Sequence, residues 1–339
     1  MGHRKHNAPR RGSLAFYPRA RHQTHIPHVR NWTKAVERPT ISGFPAFKAG
    51  MVQVITVDDR ERTPNYGKPM FNSATVLATP PVIVCGLRAY SKRNGRQFVL
   101  SDIFSNDLPE TIKQKIGSQK GSDAGPQFDK LGSSIKEIER LTAIVATVPK
   151  EAGLSNAIPQ VQEIQVSGGD VKSQLDYLKG ILGKQVKLGD LIKVGSYVDA
   201  IAVTKGKGFE GPVTRFGVKR KQHKSRKSVR AVGVISPWHP ATVMYTVPRA
   251  GQMGFHQRIM KNNRILALGN AQQSPITPSG GFLHFGEIRG DFVILRGSVP
   301  GPIKRYVDLR LPIYPRRQKV VAPRIIEVSV GGNSLQVPK

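Results

Sequence analysis

Positive charge constrains the folding of this chain more than any other feature of its sequence. The 339 residues include 53 Lys and Arg but only 22 Asp and Glu, which gives a formal net charge of +31. Residues 101–200 are nearly neutral, with 12 basic and 13 acidic side chains, so the excess lies almost entirely in the flanking regions. Like charge at this density opposes compaction unless a polyanion neutralises it. We therefore expect the flanking regions to bind a polyanion.

The first 36 residues contain no Asp or Glu. Turn formers separate the basic residues, so this segment is expected to be an extended tail that cannot fold alone. Its candidate RNA-binding residues are Arg4, Lys5, Arg10, Arg11, Arg19, Arg21, Arg30 and Trp32, whose indole ring suits base stacking. The spacing of His22, His25 and His28 would suit metal ligation, but Pro27 disfavours a continuous helix and the tail has no carboxylate. We expect no metal here.

The neutral middle has the pattern of a conventional α+β lobe. Ser134 and Glu137 have the spacing of a capping box, and the following residues 141–148 have the composition of a buried strand. Asp170 is the expected N-cap of a helix that ends at Gly183.

The flanks have the pattern of a mainly β body. With 34 Gly and 25 Pro, an all-helical bundle is unfavourable. Short, β-branched-rich runs bounded by Gly or Pro predict strands that close into a small barrel. These runs are Met51–Val57, Ala74–Val84, Ala200–Thr204, Val243–Val247, Phe292–Leu295 and Ile325–Val330.

The single cysteine, Cys85, excludes intramolecular disulfides and metal sites that need several cysteines, and it favours a reducing, intracellular compartment. No run approaches the roughly 18 apolar residues that cross a bilayer, and the amino terminus lacks the apolar stretch of a signal peptide. We expect a soluble chain without a targeting segment.

The glycine-rich stretch Gly206–Gly211 resembles loops that bind phosphate through their backbone, and Lys207 adds charge. It lacks the Gly-Lys-Ser/Thr ending of a triphosphate loop and the strand-to-helix context of a dinucleotide fold. Three interpretations remain open: a nucleotide pocket, a turn that leaves a strand, and a contact with an RNA backbone. The last is favoured.

The chain then has a basic run over residues 219–230, which contains no Asp or Glu. Its basic residues are Lys219, Arg220, Lys221, Lys224, Arg226, Lys227 and Arg230. Such a run is typical of a solvated surface or a targeting signal, but the shared bias of the tail favours polyanion binding. It leads to Trp238 and His239, which prolines bracket. Burial in a core and stacking on a base from a stiff, projecting turn are both open for Trp238, and we favour stacking. No Ser/His/Asp or Cys/His arrangement stands out, so no catalytic residue is nominated.

An ordered series of motifs resembles the L3 family of large-subunit ribosomal proteins in its archaeal and eukaryotic form. The matching segments are Gly2–Lys5, Ala8–Leu14, Gly43–Phe44, Val203–Gly211, Trp238–Ala241, Arg249–Gly254 and Gly297–Pro302. Many members carry Lys-Thr-His-Arg-Gly in the basic run, whereas this chain has Lys-Ser-Arg-Lys-Ser at residues 224–228. The role of that histidine is therefore not transferred to Arg226.

The resemblance implies a mainly β fold with an α+β insertion: a translation-factor-like β-barrel, an inserted lobe, and two extended segments that penetrate ribosomal RNA. The expected parts are a tail over 1–45, a barrel body over 46–90 and 185–339 with a finger at 219–258, and a lobe over 91–184. Trp238 would lie at the finger tip near the peptidyl transferase centre. Further candidate RNA-binding residues are Lys205, Lys207, Phe209, Arg249, Gln252, His256, Arg258, Lys304 and Arg305.

The expected function is that of a structural constituent of the large subunit, which binds ribosomal RNA, supports assembly and braces the region where aminoacyl-tRNA enters. We expect a cytoplasmic, ribosome-bound chain that is not an enzyme, needs no cofactor and does not contact a membrane. One copy would be present in each ribosome, beside neighbouring ribosomal proteins. tRNA and translational GTPases would be indirect partners. An RNA-modifying enzyme and a general nucleic-acid-coating protein are the alternatives.

Overall fold

The computed structural model describes residues 10–33, 36–117, 124–155, 158–225, 228–316, 320–330 and 333–335. Strands predominate among them, with a few short helices, so the predicted mainly β fold with α+β elements is confirmed. None of the described helices is both long and apolar enough to span a membrane.

The strands and helices follow in chain order. The described strands are β1 Thr40–Ile41, β2 Gly43–Val57, β3 Pro69–Ala78, β4 Val82–Arg93, β5 Arg96–Phe104, β6 Ile138–Thr147, β7 Val161–Ser167, β8 Gln185–Val186, β9 Tyr197–Val203, β10 Gly206–Glu210, β11 Gly251–Gly254, β12 Gln257–Asn270, β13 Asp291–Arg296, β14 Tyr306–Arg310, β15 Ile325–Val330 and β16 Asn333–Leu335. The described helices are α1 Glu110–Ile116, α2 Ala124–Ser133, α3 Val171–Ile181, α4 Leu188–Leu191 and α5 Pro212–Phe216.

The chain divides into two compact units. The first unit comprises Met1–His25 and Val203–Arg258, and the second unit comprises Ile26–Ala202 and Ile259–Lys339. Each unit therefore combines segments that are distant in sequence.

Two large sheets organise the second unit. In the six-stranded sheet the order is β1-β7-β6-β4-β5, with β8 paired to β4. In the eight-stranded sheet the order is β14-β9-β12-β13-β3-β2-β15-β16. An additional pairing between β14 and β2 joins β2, β3, β13, β12, β9 and β14 in a continuous cycle of hydrogen-bonded strands.

The apolar pattern of each strand explains its place in these sheets. In the second half of β2, residues Val52, Val54 and Thr56 are buried while their neighbours are more exposed, as expected when one face covers a core. The central strand β6 is buried continuously from Leu141 to Thr147, because β4 and β7 flank it and α3 packs against it. The main core combines side chains from both sheets with Leu131 of α2 and Leu178 of α3.

Polar side chains also lie inside the second unit. Arg310 and Asp199 form an ion pair at 2.7 Å, and each side chain is only 3% exposed. Asp308 accepts a hydrogen bond from Gln162 Nε2 at 2.8 Å, and the Tyr306 hydroxyl donates to Gln162 Oε1. Burial raises the pKa of Asp308 to about 7, although the hydrogen bond from Gln162 and the nearby Tyr306 hydroxyl act in the opposite direction. This network connects β14 of one sheet with β7 of the other.

Several sequence-based predictions of single elements need correction. The predicted strand Val243–Val247 does not form, because this run has no core to cover and Tyr245 is 71% exposed. The run Ala74–Val84 contains the end of β3 and the start of β4, since Pro80 and Pro81 interrupt it.

The two predicted helix starts lie where the sequence indicated, but neither predicted capping side chain makes a capping hydrogen bond. A helix follows Asp170, but the Asp170 side chain makes no capping hydrogen bond. Ser134 likewise makes no capping bond, and only a short 3₁₀ turn, Ile135–Glu137, precedes β6.

Candidate nucleic-acid interface

A two-stranded ribbon forms the centre of the first unit. Strands β10 and β11 pair antiparallel, with Phe209 opposite Gln252. Gly254 has a φ of +74°, and a Cβ there would lie 2.0 Å from the carbonyl oxygen of Lys205, so only glycine fits. The stretch Gly206–Gly211 is therefore mostly a strand, Gly206–Glu210, and the alternative that it is only a turn leaving a strand is wrong. The favoured contact with an RNA backbone stays a prediction. Gly206, Phe209 and Glu210 pair with β11, and the pairing is irregular between Gly206 and Phe209.

Helix α5 fixes the returning limb of the ribbon through Arg215. Its Nε donates to the carbonyl oxygen of Gln252 at 3.1 Å, and its Nη1 donates to that of Arg249 at 3.0 Å. Gly251 lies against the guanidinium group, where an added Cβ would be 3.0 Å from Cζ. Burial is the main reason that the pKa of Arg215 is lowered, with a further contribution from Arg19.

The amino-terminal segment packs onto this ribbon and helix within the same unit. The Arg19 guanidinium lies 4.2 Å from the centroid of the Phe216 ring, and its Nη1 donates to the Arg215 carbonyl oxygen. Gly12 lies so close to Phe216 that an added Cβ would be 2.4 Å from a ring carbon. The backbone N–H of His22 donates to the carbonyl oxygen of Phe255 at 2.8 Å.

A basic cavity of about 400 Å³ opens between the amino-terminal segment and the ribbon. It is lined by Phe16, Arg19, Thr204, Lys205, Lys207, Gln252, Met253, Gly254, His256 and Arg258. None of these residues is acidic, and the Arg258 guanidinium lies 4.4 Å from the Phe16 ring centroid. Lys and Arg side chains beside an aromatic face can bind a phosphate and an adjoining planar group.

His256 contributes a fixed hydrogen-bonding pattern to this cavity. Its Nδ1 lies 2.8 Å from the carbonyl oxygen of Ala20. Because a carbonyl only accepts, Nδ1 carries the proton and Nε2 is an acceptor. Burial lowers the pKa of His256, and Arg258, Arg19 and Arg215 lower it further, while the bond to Ala20 raises it. The lowered pKa favours the neutral imidazole, so the positive charge of the cavity comes from Arg and Lys.

Residues 217–250, which include most of the predicted finger, contain neither a helix nor a strand where the structure describes them. No Asp or Glu occurs between residues 211 and 250. Lys219, Arg220, Lys224 and Arg230 are exposed, and Lys221 is half-buried. Trp238 is 89% exposed, which contradicts the alternative that it belongs to a core. Its neighbour His239 is also exposed.

The remaining predicted residues are distributed over both units. Arg10, Arg11 and Arg21 are exposed in the first unit, where Arg10 also donates to the carbonyl oxygen of Thr246. Lys205, Lys207, Phe209 and Arg249 are exposed beside the ribbon, and Gln252 and Arg258 are half-buried. Arg30 and Lys304 are exposed in the second unit, where Trp32 and Arg305 are half-buried. Arg4, Lys5, Arg226 and Lys227 lie outside the described residues.

Sequence reasoning missed Phe16 and Arg215, although both shape the first unit. Phe16 lies in a tail that was expected to lack internal contacts, and Arg215 stands alone between the glycine-rich stretch and the basic run. Their roles depend on contacts with residues far away in sequence, which no local pattern reveals. Within the described parts of the chain, no group of three or more His, Cys, Asp or Glu could hold a metal ion.

Comparisons with known proteins agree with the ordered series of motifs. The sequence model of the family described as Ribosomal protein L3 matches residues 1–336. The large ribosomal subunit protein uL3 of Methanocaldococcus jannaschii is 42% identical over 95% of this chain and 96% of its own length. The protein of the same name from Archaeoglobus fulgidus is 39% identical over 96% of this chain and 98% of its own. This chain belongs to the ribosomal protein L3 family.

Proposed function

We propose that this chain is a non-catalytic constituent of the large ribosomal subunit, which binds ribosomal RNA and supports subunit assembly. As a family member it is a ribosomal protein, and its place in the cell is the cytoplasmic ribosome. It would act by screening the phosphates of RNA helices that converge on the finger and the first unit.

One observation carries this proposal. A 40-residue segment, 211–250, has no acidic residue, no strand or helix beyond α5 in its described part, and several exposed basic side chains. Basic side chains without acidic partners release counterions when they meet phosphates, which is the main source of affinity for nucleic acids. The acid-free cavity lined by Lys205 and Lys207 extends the same surface within the first unit.

We further propose the arrangement that the family resemblance implies. The cycle of strands in the second unit would be a translation-factor-like barrel, with body segments 46–90 and 185–339 and an inserted lobe at 91–184. The tail over 1–45 and the finger over 219–258 would extend into ribosomal RNA. Trp238 would lie at the finger tip and brace the region near the peptidyl transferase centre, beside the path of aminoacyl-tRNA.

The proposed partners follow from this position. Ribosomal RNA and neighbouring ribosomal proteins would contact the chain directly, while tRNA and translational GTPases would be affected indirectly. One copy would be present in each ribosome, and no cofactor would take part. An exposed aromatic ring suits this role, because base stacking on an aromatic side chain contributes about 1 to 3 kcal/mol.

A pair of matched variants tests the proposal. The finger variant replaces Lys219, Arg220, Lys221 and Lys224 with Gln, and the lobe variant replaces Lys113, Lys115, Lys130 and Lys136 with Gln. Both remove four positive charges, and the lobe lysines are exposed like most of the finger residues. Subunits from cells that express each tagged variant are separated on a gradient, and the share of tagged chain in the large subunit is measured.

We expect the lobe variant to enter large subunits as the original chain does, and the finger variant to enter at less than about a tenth of that level, since roughly four phosphate contacts disappear. Equal entry of both variants would contradict the proposal. If both variants enter large subunits at equally reduced levels, net charge alone explains the effect. That result would favour a general nucleic-acid-coating protein.

A further inference from the structure

A second cavity, of about 580 Å³, lies within the second unit, and two of its lining residues, Ile259 and Lys261, come directly after the finger in sequence. Its walls come from the segment before β1, from β5, β6, β7 and β12, and from the end of β14 and the residues after it. A volume of this size accommodates a ligand as large as one nucleotide, since small-molecule pockets span about 300 to 1,000 Å³.

Aromatic rings lie on the wall of this cavity. Trp32 packs against the main core, and an added Cβ on Gly43 would lie 2.7 Å from its Cζ3 atom. Gly43 is thus a glycine because the indole ring lies directly on its backbone. Tyr314 is 72% exposed, and Asn262 Nδ2 holds its carbonyl oxygen at 3.2 Å. One ring is fixed in place, and the other remains accessible to a ligand.

Positive charge surrounds these rings. The cavity wall has four basic side chains, Arg30, Arg140, Lys261 and Arg310, and one acidic side chain, Glu139. Glu139 already accepts a hydrogen bond from Gln97 Nε2 at 3.1 Å and lies 3.5 Å from Lys92 Nζ. Arg310 is neutralised by its ion pair with Asp199, so Arg30, Arg140 and Lys261 supply the positive excess that favours an anionic ligand.

Arg310 connects the aromatic and the basic sides of the cavity. Its Nη2 pairs with Asp199, and its Nη1 donates to the carbonyl oxygen of Asn31 at 2.7 Å. This bond fixes the backbone directly before Trp32. Nε of Arg310 and Nε of Arg140 are buried without a hydrogen-bond acceptor in the described part of the chain, so the local polar network is incomplete.

We propose that this cavity binds one unstacked nucleotide of ribosomal RNA, with its base against Tyr314 and Trp32 and its phosphate against Lys261, Arg30 and Arg140. The proposal rests on the RNA binding proposed above and adds a second, separate site. Sequence-specific RNA recognition commonly uses unstacked bases that pack on aromatic side chains. The amides of Asn31, Gln97 and Gln165 line the same wall and supply both donors and acceptors for a base edge. An acidic peptide would use the cations but gain nothing from planar rings.

The test uses large subunits that contain Tyr314→Ala, Tyr314→Phe or the control Tyr66→Ala. Tyr66 is another exposed tyrosine of the second unit, at 55% exposure. Chemical probing measures the reactivity of every ribosomal RNA nucleotide. We expect one nucleotide to gain reactivity in Tyr314→Ala subunits and to stay protected in the other two, with its occupancy lowered about 5- to 150-fold. Ultraviolet irradiation of unmodified subunits should crosslink that nucleotide to a peptide containing Trp32 or Tyr314.

Unchanged reactivity in Tyr314→Ala subunits that contain the protein would overturn the inference, as would a crosslink from this peptide to a neighbouring protein. This failure differs from failure of the proposed function. If the finger lysines crosslink to RNA while Tyr314 does not, only the second site is wrong. If the chain enters no large subunit, the proposed function itself is wrong.

Discussion

The guanidinium group of Arg19 lies 4.2 Å from the ring centroid of Phe216, and the same group donates to the carbonyl oxygen of the preceding residue, Arg215, at 3.0 Å. These two contacts attach the amino-terminal segment to α5 within the first unit. The segment is therefore held by a cation–π contact and a hydrogen bond where sequence reasoning expected only contacts with RNA.

We predict that Arg19→Ala loosens this attachment. A cation–π contact contributes about 0.5 to 2 kcal/mol and a hydrogen bond about 0.5 to 1.5 kcal/mol. Hydrogen exchange of the His22 amide, which bonds to Phe255, should accelerate by roughly 5- to 100-fold in the purified chain. Arg21→Ala removes the same charge from an exposed position and should leave this rate unchanged. Equal acceleration in both variants would contradict the assigned role of Arg19.

We predict that Trp238→Ala leaves the fold intact and changes translation. The indole ring is 89% exposed, so its removal should alter the free energy of unfolding by no more than about 0.5 kcal/mol. The variant should enter large subunits normally, yet alter tRNA accommodation or sensitivity to peptidyl-transferase inhibitors. Trp238→Phe, which keeps an aromatic face, should show a smaller effect. Failure of Trp238→Ala to enter subunits would assign the ring a structural role.

We predict that Asp308→Asn stabilises the chain at high pH. Burial raises the pKa of Asp308 to about 7, so between about pH 4 and pH 7 the folded chain binds a proton that the unfolded chain releases. Stability is therefore lost as the pH rises through this window. Asn does not titrate, and its advantage over Asp should grow from near zero at pH 4 to roughly 2 to 4 kcal/mol at pH 8.

The midpoint of urea unfolding at pH 4, 6 and 8 measures this effect. Asp176→Asn, at an exposed position of α3, is the control and should show no such trend. A stability difference between Asp308→Asn and the original chain that does not change with pH would contradict the raised pKa.

We predict that Gly254→Ala disrupts the ribbon far more than Gly208→Ala. Both glycines have positive φ, but an added Cβ at Gly254 would lie 2.0 Å from the Lys205 carbonyl oxygen, whereas nothing lies within 4 Å at Gly208. Backbone strain alone costs about 1 to 2 kcal/mol, so Gly208→Ala should lose about that much. Gly254→Ala should also expose the ribbon to proteolysis near Arg249. Equal protease sensitivity would show that the close contact is unimportant.

Local sequence patterns correctly predicted strands that cover a core, but they also predicted a strand in an exposed segment that forms none. Runs 292–295 and 325–330 lie in β13 and β15: residues 292–295 are all buried, and in β15 only Val328 is buried. The run Val243–Val247 has the same composition but lies in the finger, where it forms no strand. β-branched composition alone therefore does not distinguish a strand from an exposed aromatic and aliphatic segment.

The sequence predicted which basic residues belong to the candidate site, but it did not predict how their side chains and the aromatic rings pack together. The acid-free tail and basic run identified the exposed cations, because charge is visible one residue at a time. The bond from Arg310 to Asn31 joins residues that are distant in sequence, and Trp32 packs on Gly43 without any apolar repeat that connects the two. Neither follows from periodicity, and both are needed to recognise the second cavity.

The salt dependence of RNA binding shows whether the finger lysines and arginines contact RNA phosphates. Affinities of the purified original chain, the finger variant and the lobe variant for large-subunit ribosomal RNA are measured between about 50 and 200 mM salt. Each phosphate contact contributes about 0.7 to 0.9 to the slope of log affinity against log salt. The account predicts that the slope of the finger variant is shallower by about 3, while the lobe variant keeps the original slope. Identical slopes for the finger variant and the original chain would contradict it.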